Sequence, residues 1–392
     1  MSADLLTISP FKVESERRLV ILCDWIPPDF GAVGQYMQMR ARALAALGHE
    51  VTLVGLSSTE ESTRQESIGK GSLTEIRLKA SAVPRGSLAS RLVWTISTDL
   101  RLIARAFGRL RAADGILFTG SPPFLIHLLA PLGLLWRGRL IYRITDFHPE
   151  CLIAAQPRPS KALAVLLSLT NFWRRRIGGF EVLGLDQMKR LRAAGIAWDR
   201  ITLVRDGSPV SFESPTGGEI VPEPLPGALA GHCVLLYSGN YGVAHEVDTV
   251  FEGLRLHHRQ GTGRVRLWLS AAGAGAAELE NRLKAENLPV FRSAPVPLER
   301  LPGLLRAPAG HLVTLKDSFV GYVMPSKIYA CIESGRPIIF VGSADSDVDL
   351  LARTGAAQVG YWQVPCGDPA GFAAALERLA DRQAAGDAAR RG

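Results

Sequence analysis

The sequence predicts an α/β protein built as two open domains of parallel strands and helices, and three observations carry that reading. The chain's 392 residues exceed what one hydrophobic core usually holds. Short apolar runs such as LVILC and IIFV, the mark of strands buried on both faces, alternate with longer amphipathic stretches in two successive series. Between the series lies 206–231, DGSPVSFESPTGGEIVPEPLPGALAG, dense in proline, glycine and serine and without apolar periodicity, which reads as a linker. The first domain is therefore placed at 1–205 and the second at 232–369. A C-terminal helix from about 370 to 392 is expected to cross back onto the first domain, and a cleft is expected between the two sheets.

In chain order, residues 1–17 form a polar lead-in without the basic start and apolar core of a signal peptide. Leu19–Cys23 is a first buried strand, ending at Asp24. The turn WIPPDFGAVG (25–34) leads into a helix that closes at Gly48, and Val51–Leu56 is the second strand, a Rossmann-type spacing. The pair Gly31 and Gly34 is not the dinucleotide fingerprint, and no acidic residue ends the second strand. A nicotinamide cofactor is therefore not expected, and the glycines suit close approach of a ligand to the backbone. Residues 57–87 are polar, with a short strand at Leu73–Leu78. Leu88–Leu110 repeats Leu92, Ile96, Leu100, Ile103, Ala104 and Phe107 at helical spacing. Gly115–Thr119 is a strand, and an apolar helix runs to Trp136. That stretch is interrupted by Pro122, Pro123, His127 and Pro131, and no run reaches the roughly 18–20 apolar residues of a membrane span. Leu140–Ile144 is a strand that delivers Asp146, His148 and Glu150 to the sheet's carboxyl edge. A helix at Leu163–Trp173, strands at Glu181–Leu185 and Ile201–Val204, and a helix at Gln187–Ala194 complete the first series.

The second series contains strands at Val234–Tyr237, Val265–Ser270, Val290–Ser293, Leu312–Leu315 and Ile338–Val341. Its most informative stretch is 321–342, GYVMPSKIYACIESGRPIIFVG. Ser326 suits an N-cap, Gly335 a C-cap, and Pro337 stops the helix. Helix-end amides with Lys327 beside them suit a phosphate; an ordinary αβ unit without a ligand is the alternative.

Charge is unevenly distributed. Residues 1–180 hold 23 Lys and Arg against 14 Asp and Glu, and 84–180 hold 14 against four. The basic residues alternate with apolar ones, as in LLWR at 134–137 and NFWRRR at 171–176. Such a surface fits an anionic membrane; solvated arginines over core-facing apolar residues are the alternative. No nucleic-acid-binding motif is present, so nucleic acid is not expected as a partner. The five cysteines are scattered, with no CxxC pair, which points to reduced thiols and a cytoplasmic location.

Taken together, the Gly31/Gly34 loop, LLYSGNYGVAHEVD (235–248), WLSAAGAG (268–275), FRSAPVPLERL (291–301) and PSKIYACIESGRPIIFVG (325–342) resemble the GT-B glycosyltransferases. The closest likeness is to family 4, the retaining nucleotide-sugar enzymes of bacterial polysaccharide and lipopolysaccharide assembly. The resemblance spans roughly 18–385. It implies a nucleotide-sugar donor in the second domain and a polyprenyl-linked or glycan acceptor at the first. It further implies no metal or other cofactor, and a position on the cytoplasmic face of the inner membrane.

Residue by residue, the arginine and lysine that members use for the diphosphate fall on Asn240 and His245, which leaves Lys327, supported by Arg205 and Ser326, as the cation. Gly31, Gly34, Gly273, Val296, Pro325 and Ile328 fall among the implied donor contacts. The family's two glutamates fall on Tyr322 and Ala330, and Glu333 is the nearby substitute. For chemistry, Asp146 and His148 compete: Asp146 to accept the attacking hydroxyl's proton, His148 to hold the acceptor or donor sugar. The bland alternative is a turn with an Asp cap before Pro149. Trp136, Trp173, Arg174, Arg175 and Arg176 are assigned to membrane docking. An epimerase of the same shape and a non-catalytic nucleotide-sugar-binding scaffold subunit are the competing readings.

Overall fold

A computed structural model describes residues 17–29, 31–81, 88–135, 140–213 and 220–391. The expectations placed on the lead-in to residue 16, on Trp136 and on 214–219 of the linker fall outside these. Two compact units emerge. The N-terminal unit runs to Asp206 and also includes Gly321–Val323; the C-terminal unit comprises Gly207–Val320 and Met324–Gly392.

The N-terminal unit contains β1 (Arg18–Trp25), α1 (Ala32–Ala46), β2 (Glu50–Ser57), β3 (Ser62–Ile68), β4 (Gly71–Lys79), α2 (Leu88–Ala112) and β5 (Gly115–Thr119). There follow α3 (Leu125–Gly133), β6 (Leu140–Ile144), α4 (Glu150–Ala154), α5 (Lys161–Arg174), β7 (Gly179–Val182), α6 (Leu185–Ala193) and β8 (Ile201–Leu203). Strand order is β3-β4-β2-β1-β5-β6-β7-β8, and only β3 runs antiparallel, against β4. Every residue of β5 and β6 is buried, which is why both read as short, mainly apolar runs, broken in β6 only by Arg143.

Charge is also buried there. Arg143 of β6 binds Glu181 of β7 at 3.0 Å and Asp206 beyond β8, while Arg40 from α1 holds the other side of Glu181. Two cations and two anions thereby neutralise one another in the interior. Glu181 is thus a mid-strand residue, and the strand ends at Val182, earlier than expected.

The core face of α2 is Thr95, Thr98, Asp99, Leu102, Ile103, Ala106 and Leu110, whereas Leu92, Ile96, Leu100 and Phe107 of the apolar repeat are exposed. The core face carries small and polar residues, so the more apolar outer stripe gave the stronger signal.

The C-terminal unit contains β9 (Cys233–Asn240), α7 (Asp248–Arg259), β10 (Val265–Ala272), α8 (Ala274–Ala285), β11 (Val290–Ser293) and α9 (Leu301–Arg306). It continues with β12 (Gly310–Thr314), α10 (Lys327–Glu333), β13 (Ile338–Val341), α11 (Asp347–Gly355), β14 (Tyr361–Val364) and α12 (Pro369–Arg391). All six strands are parallel, in the order β11-β10-β9-β12-β13-β14. Phe372, Leu376 and Leu379 of α12 are buried in this unit's own core, where Phe372 fills the space left by Gly253 of α7. Among the described residues no helix is long and apolar enough to cross a membrane.

Candidate active site

At the carboxyl edge of the C-terminal sheet, β9 brings Tyr237 beneath the first residue of α10. The Lys327 ammonium stands 3.4 Å from the Tyr237 ring centroid, a cation–π geometry. Although the side chain as a whole is partly exposed, Lys327 Nζ is buried and has no hydrogen-bond partner among the described residues. Burial pulls its pKa down to about 7, with Cys331 acting in the opposite direction. A buried ammonium that lacks an acceptor is costly unless an anion completes it.

Aromatic rings support this arrangement from below. Tyr237 and Tyr241 stack at 4.2 Å, and His245 meets both edge-on at 5.7 and 5.5 Å. His245 Nδ1 lies 2.7 Å from the Thr314 carbonyl, which only accepts, so Nδ1 carries the hydrogen. Burial first, and Lys327 second, push the imidazole down to about 3, leaving it neutral. His245 therefore packs and orients and adds no positive charge for a diphosphate.

The other predicted donor contacts are placed as follows. Ser326 occupies the N-cap position but has helical dihedrals (φ −58°, ψ −20°) and makes no side-chain cap bond, which requires an extended residue. Ile328 is fully buried and its amide donates to the Pro325 carbonyl at 3.1 Å, so it is a core residue. α10 spans only seven residues, which leaves Lys327 Nζ as the distinctive feature of this corner. Pro325 is buried, Val296 packs against the cluster around Trp268, and Glu333 is exposed at the far end of α10. Gly273 has φ 100°, and a Cβ there would meet Asn240 Oδ1 at 2.5 Å, so the turn after β10 needs glycine to seat Asn240.

In the N-terminal unit, three neighbouring strands, β1, β5 and β6, end at one edge and present Asp24, Ser121 and Asp146. Ser121 Oγ donates to Asp24 Oδ2 at 2.7 Å, and Asp24 Oδ1 is buried without a partner among the described residues. Burial raises both carboxyls to about 6; for Asp146 the Asp24 charge adds to the effect. The backbone around Asp146 is pinned. Gln187 Nε2 donates to the Thr145 carbonyl at 2.9 Å, and the Phe147 amide donates to the Tyr322 carbonyl at 2.9 Å. His148 is held below its ordinary pKa by burial, and its Nδ1 is buried with no partner among the described residues.

Behind this loop, Arg174 is fully buried, paired with Glu150 and donating to the His148 carbonyl at 3.0 Å. This overturns its assignment to a membrane surface: in RRR, helical rotation turns one arginine inward and leaves Arg175 and Arg176 exposed. Trp173 is half-buried against the core. Arg205 is partly exposed beyond β8. A Cβ on Gly34 would lie 1.8 Å from the Trp25 carbonyl oxygen, so this glycine admits the chain's own backbone; Gly31 is less crowded, at 3.3 Å. Asp24, Ser121, Tyr237 and Tyr241 were missed in the sequence; a carboxylate closing the first apolar strand was the available signal for Asp24.

No protein-family model matches the chain, and no curated protein matches it significantly. Solved structures do share its architecture. An E. coli trehalose-6-phosphate protein bound with UDP-2-fluoro glucose is 13% identical at TM-score 0.55, over 93% of this chain and 92% of that one. An alpha,alpha-trehalose-phosphate synthase (UDP-forming) from Burkholderia vietnamiensis is 14% identical at TM-score 0.57, over 94% and 93%. Anabaena HepE in complex with UDP is 11% identical at TM-score 0.53, over 93% and 95%. The fold is GT-B: two Rossmann-like α/β domains, the architecture of these glycosyltransferase neighbours.

Proposed function

We propose that this chain is a glycosyltransferase of the family 4 type. It moves a sugar from a nucleotide-sugar donor to a lipid-linked or saccharide acceptor in cell-surface polysaccharide assembly, with the retention that the resemblance implies. The observation that carries this reading is the buried, unpartnered Lys327 ammonium at the carboxyl edge of the C-terminal sheet, where open α/β sheets take their ligands. The β-phosphate of a donor supplies the missing acceptor, and the ammonium then stabilises charge building on the leaving diphosphate. On the N-terminal unit, Asp146 and His148 are the groups assigned to the acceptor side.

A peripheral position on the cytoplasmic face of the inner membrane is part of the same reading. Val93 and Leu100 on α2, Leu135 after α3 and Val165 on α5 are exposed by 67, 51, 80 and 70%. α3 packs against both α2 and α5, and Arg91, Arg101 and Arg105 of α2 and Arg175 and Arg176 at the end of α5 are exposed. Exposed apolar tips on helices that also expose arginines suit the interface of an anionic bilayer.

Thermal shift and calorimetry with a panel of nucleotide sugars, followed by donor hydrolysis without acceptor, test the reading. Binding with hydrolysis supports it. Binding without hydrolysis favours the scaffold reading, and absence of any binding refutes both.

A further inference from the structure

The face of the N-terminal sheet that lies under α2 changes character along its strands. Towards their carboxyl ends it is apolar: Leu22 of β1, Val54 of β2 and Ile76 of β4 belong to one buried cluster with Ala106 and Leu110 of α2. Side chains alternate along a strand, so residues two and four positions earlier share that face. On the interior strands β2 and β4 those residues are polar: Glu50, Thr52, Ser72 and Thr74. Register sets them side by side. Glu50 stands between Arg18 and Ser72, and Thr52 between Val20 and Thr74, whose other neighbour is Gln65 of β3. With Arg109 and Ala112 in the last turn of α2, they line a cavity of about 310 Å³.

Arg101, Arg105 and Arg109 recur at every fourth position of α2 and share one face of the helix. Arg101 donates to the Lys79 carbonyl at 2.8 Å and Arg105 to Thr63 Oγ1 at 3.2 Å, fastening the helix to the outer strands of the sheet. Arg109, one step further, makes no hydrogen bond or ion pair among the described residues. The same holds for the Glu50 carboxylate, the Thr52, Ser72 and Thr74 hydroxyls and the Gln65 side-chain amide. Arg18 at the rim already faces Asp114 at 3.8 Å. We propose that this cavity binds an acidic monosaccharide, a sugar phosphate or a uronate. Arg109 takes the acid group, and Glu50, the floor hydroxyls and Gln65 take the ring hydroxyls.

Charge decides the class of ligand. A carboxylate and a guanidinium that line one cavity without pairing suit a ligand whose two ends differ. An ionised carboxylate only accepts, so Glu50 needs hydroxyl donors; a guanidinium only donates, so Arg109 needs an anion. The hydroxyls between them both donate and accept, as the hydroxyls of a sugar ring do. Neighbouring strands lie about 4.8 Å apart and alternate residues of one strand about 6.7 Å, so Glu50 and Gln65 are separated by on the order of 10 Å, the scale of one ring with its acid group. Ligand cavities run from about 300 to 1,000 Å³, and this one, at the lower end, suits a single ring. It is also distinct from the candidate active site. Asp24 stands six residues beyond Arg18 on β1, about 20 Å along the strand. The inference is therefore independent of the transferase reading.

The test is calorimetry on the full chain with glucose 6-phosphate, ribose 5-phosphate, glucuronate and galacturonate, against glucose and inorganic phosphate as controls that each carry one feature alone. At least one acidic sugar is expected to bind about tenfold tighter than either control. Arg109→Met should weaken it about tenfold or more, and Thr74→Val about three- to tenfold. Both residues are at least partly exposed, so the melting temperature should hold. Glu50→Gln gives the deciding sign. It should weaken the acidic sugar about threefold or more, through the lost acceptor, and should not weaken inorganic phosphate. Tighter binding of the acidic sugar in Glu50→Gln, or wild-type affinity in both Arg109→Met and Thr74→Val, overturns the inference. Lys327→Met should leave the affinity unchanged; loss there places the binding at the C-terminal sheet and overturns it too. Failure of all four acidic sugars to bind also overturns it, while nucleotide-sugar binding, measured separately, still decides the transferase reading.

Discussion

Replacing Lys327 by methionine keeps an unbranched apolar side chain, one atom shorter, against Tyr237 but removes the charge. A hydrogen bond from an ammonium to a phosphate oxygen contributes about 1.5–3 kcal/mol. At about 1.4 kcal/mol per decade, Lys327→Met should weaken donor binding by about 10- to 150-fold. The pH dependence sharpens this. In the free protein Lys327 titrates near 7, depressed by burial from 10.5. A bound diphosphate favours the charged form and raises it again. Below pH 7 the site is already charged and affinity is flat from this source. Above pH 7, binding must take up a proton, so Kd rises about tenfold per pH unit until the pKa of the complex is reached.

Calorimetry in buffers of different ionisation heat should register about half a proton taken up at pH 7 and nearly one at pH 8. The same shift has a stability sign. The unfolded chain binds more protons than the folded one between pH 7 and 10.5, so this lysine's burden on the fold is lifted as pH rises through that window. Lys327→Met should therefore melt a few degrees higher than wild type at pH 6.5 while losing donor affinity. Wild-type affinity in the variant, or the absence of proton uptake in the native protein, would refute the assignment.

Other expectations follow from packing. Gly34→Ala, whose Cβ would sit 1.8 Å from the Trp25 carbonyl oxygen, should cost more than about 2 kcal/mol of stability in chemical denaturation, while Gly31→Ala should be nearly neutral. Arg174→Met leaves Glu150 buried without its cation and should cost about 3–5 kcal/mol. The double variant Arg175→Glu, Arg176→Glu should keep its melting temperature and co-sediment less with phosphatidylglycerol vesicles; an unchanged bound fraction counts against docking. Val93→Glu with Leu135→Glu should release the protein from the same vesicles without unfolding it, because both side chains already face solvent.

Buried parallel strands were legible because their burial is uniform. β5 and β6 match their expected ranges residue for residue, since every side chain there is apolar or, like Arg143, held by buried partners. β3 was invisible: STRQESI is polar up to its last residue, Ile68, and pairs at the edge of the sheet, so no periodicity marks it. α11 and the half-buried edge strand β14 escaped for similar reasons. In the site, Lys327 stood out through its place in the Pro325–Lys327 corner, but Tyr237 read as one more apolar residue of a strand. Asp24 read as the place where a strand stops, because which side chain faces an edge, and what it lacks there, is set by the neighbouring strands. Arg174 was misjudged from the opposite side: three consecutive arginines look solvated until the helix assigns each a direction.

The buried pairing of Arg143 with Asp206 also has a mechanical meaning. Arg143 stands three residues before Asp146 on the same chain segment, and Asp206 ends the long stretch of the N-terminal unit, before the chain crosses to the other unit. The strand that presents the proposed base is therefore also the one that fastens the chain at the point where it leaves that unit. Pulling on the segment beyond Asp206 loads β6 through an ion pair instead of through a loop. A variant at Arg143 would be expected to blur the pH profile of the catalytic edge and to loosen the chain's exit in the same stroke. Substitutions meant to probe either one are better made elsewhere.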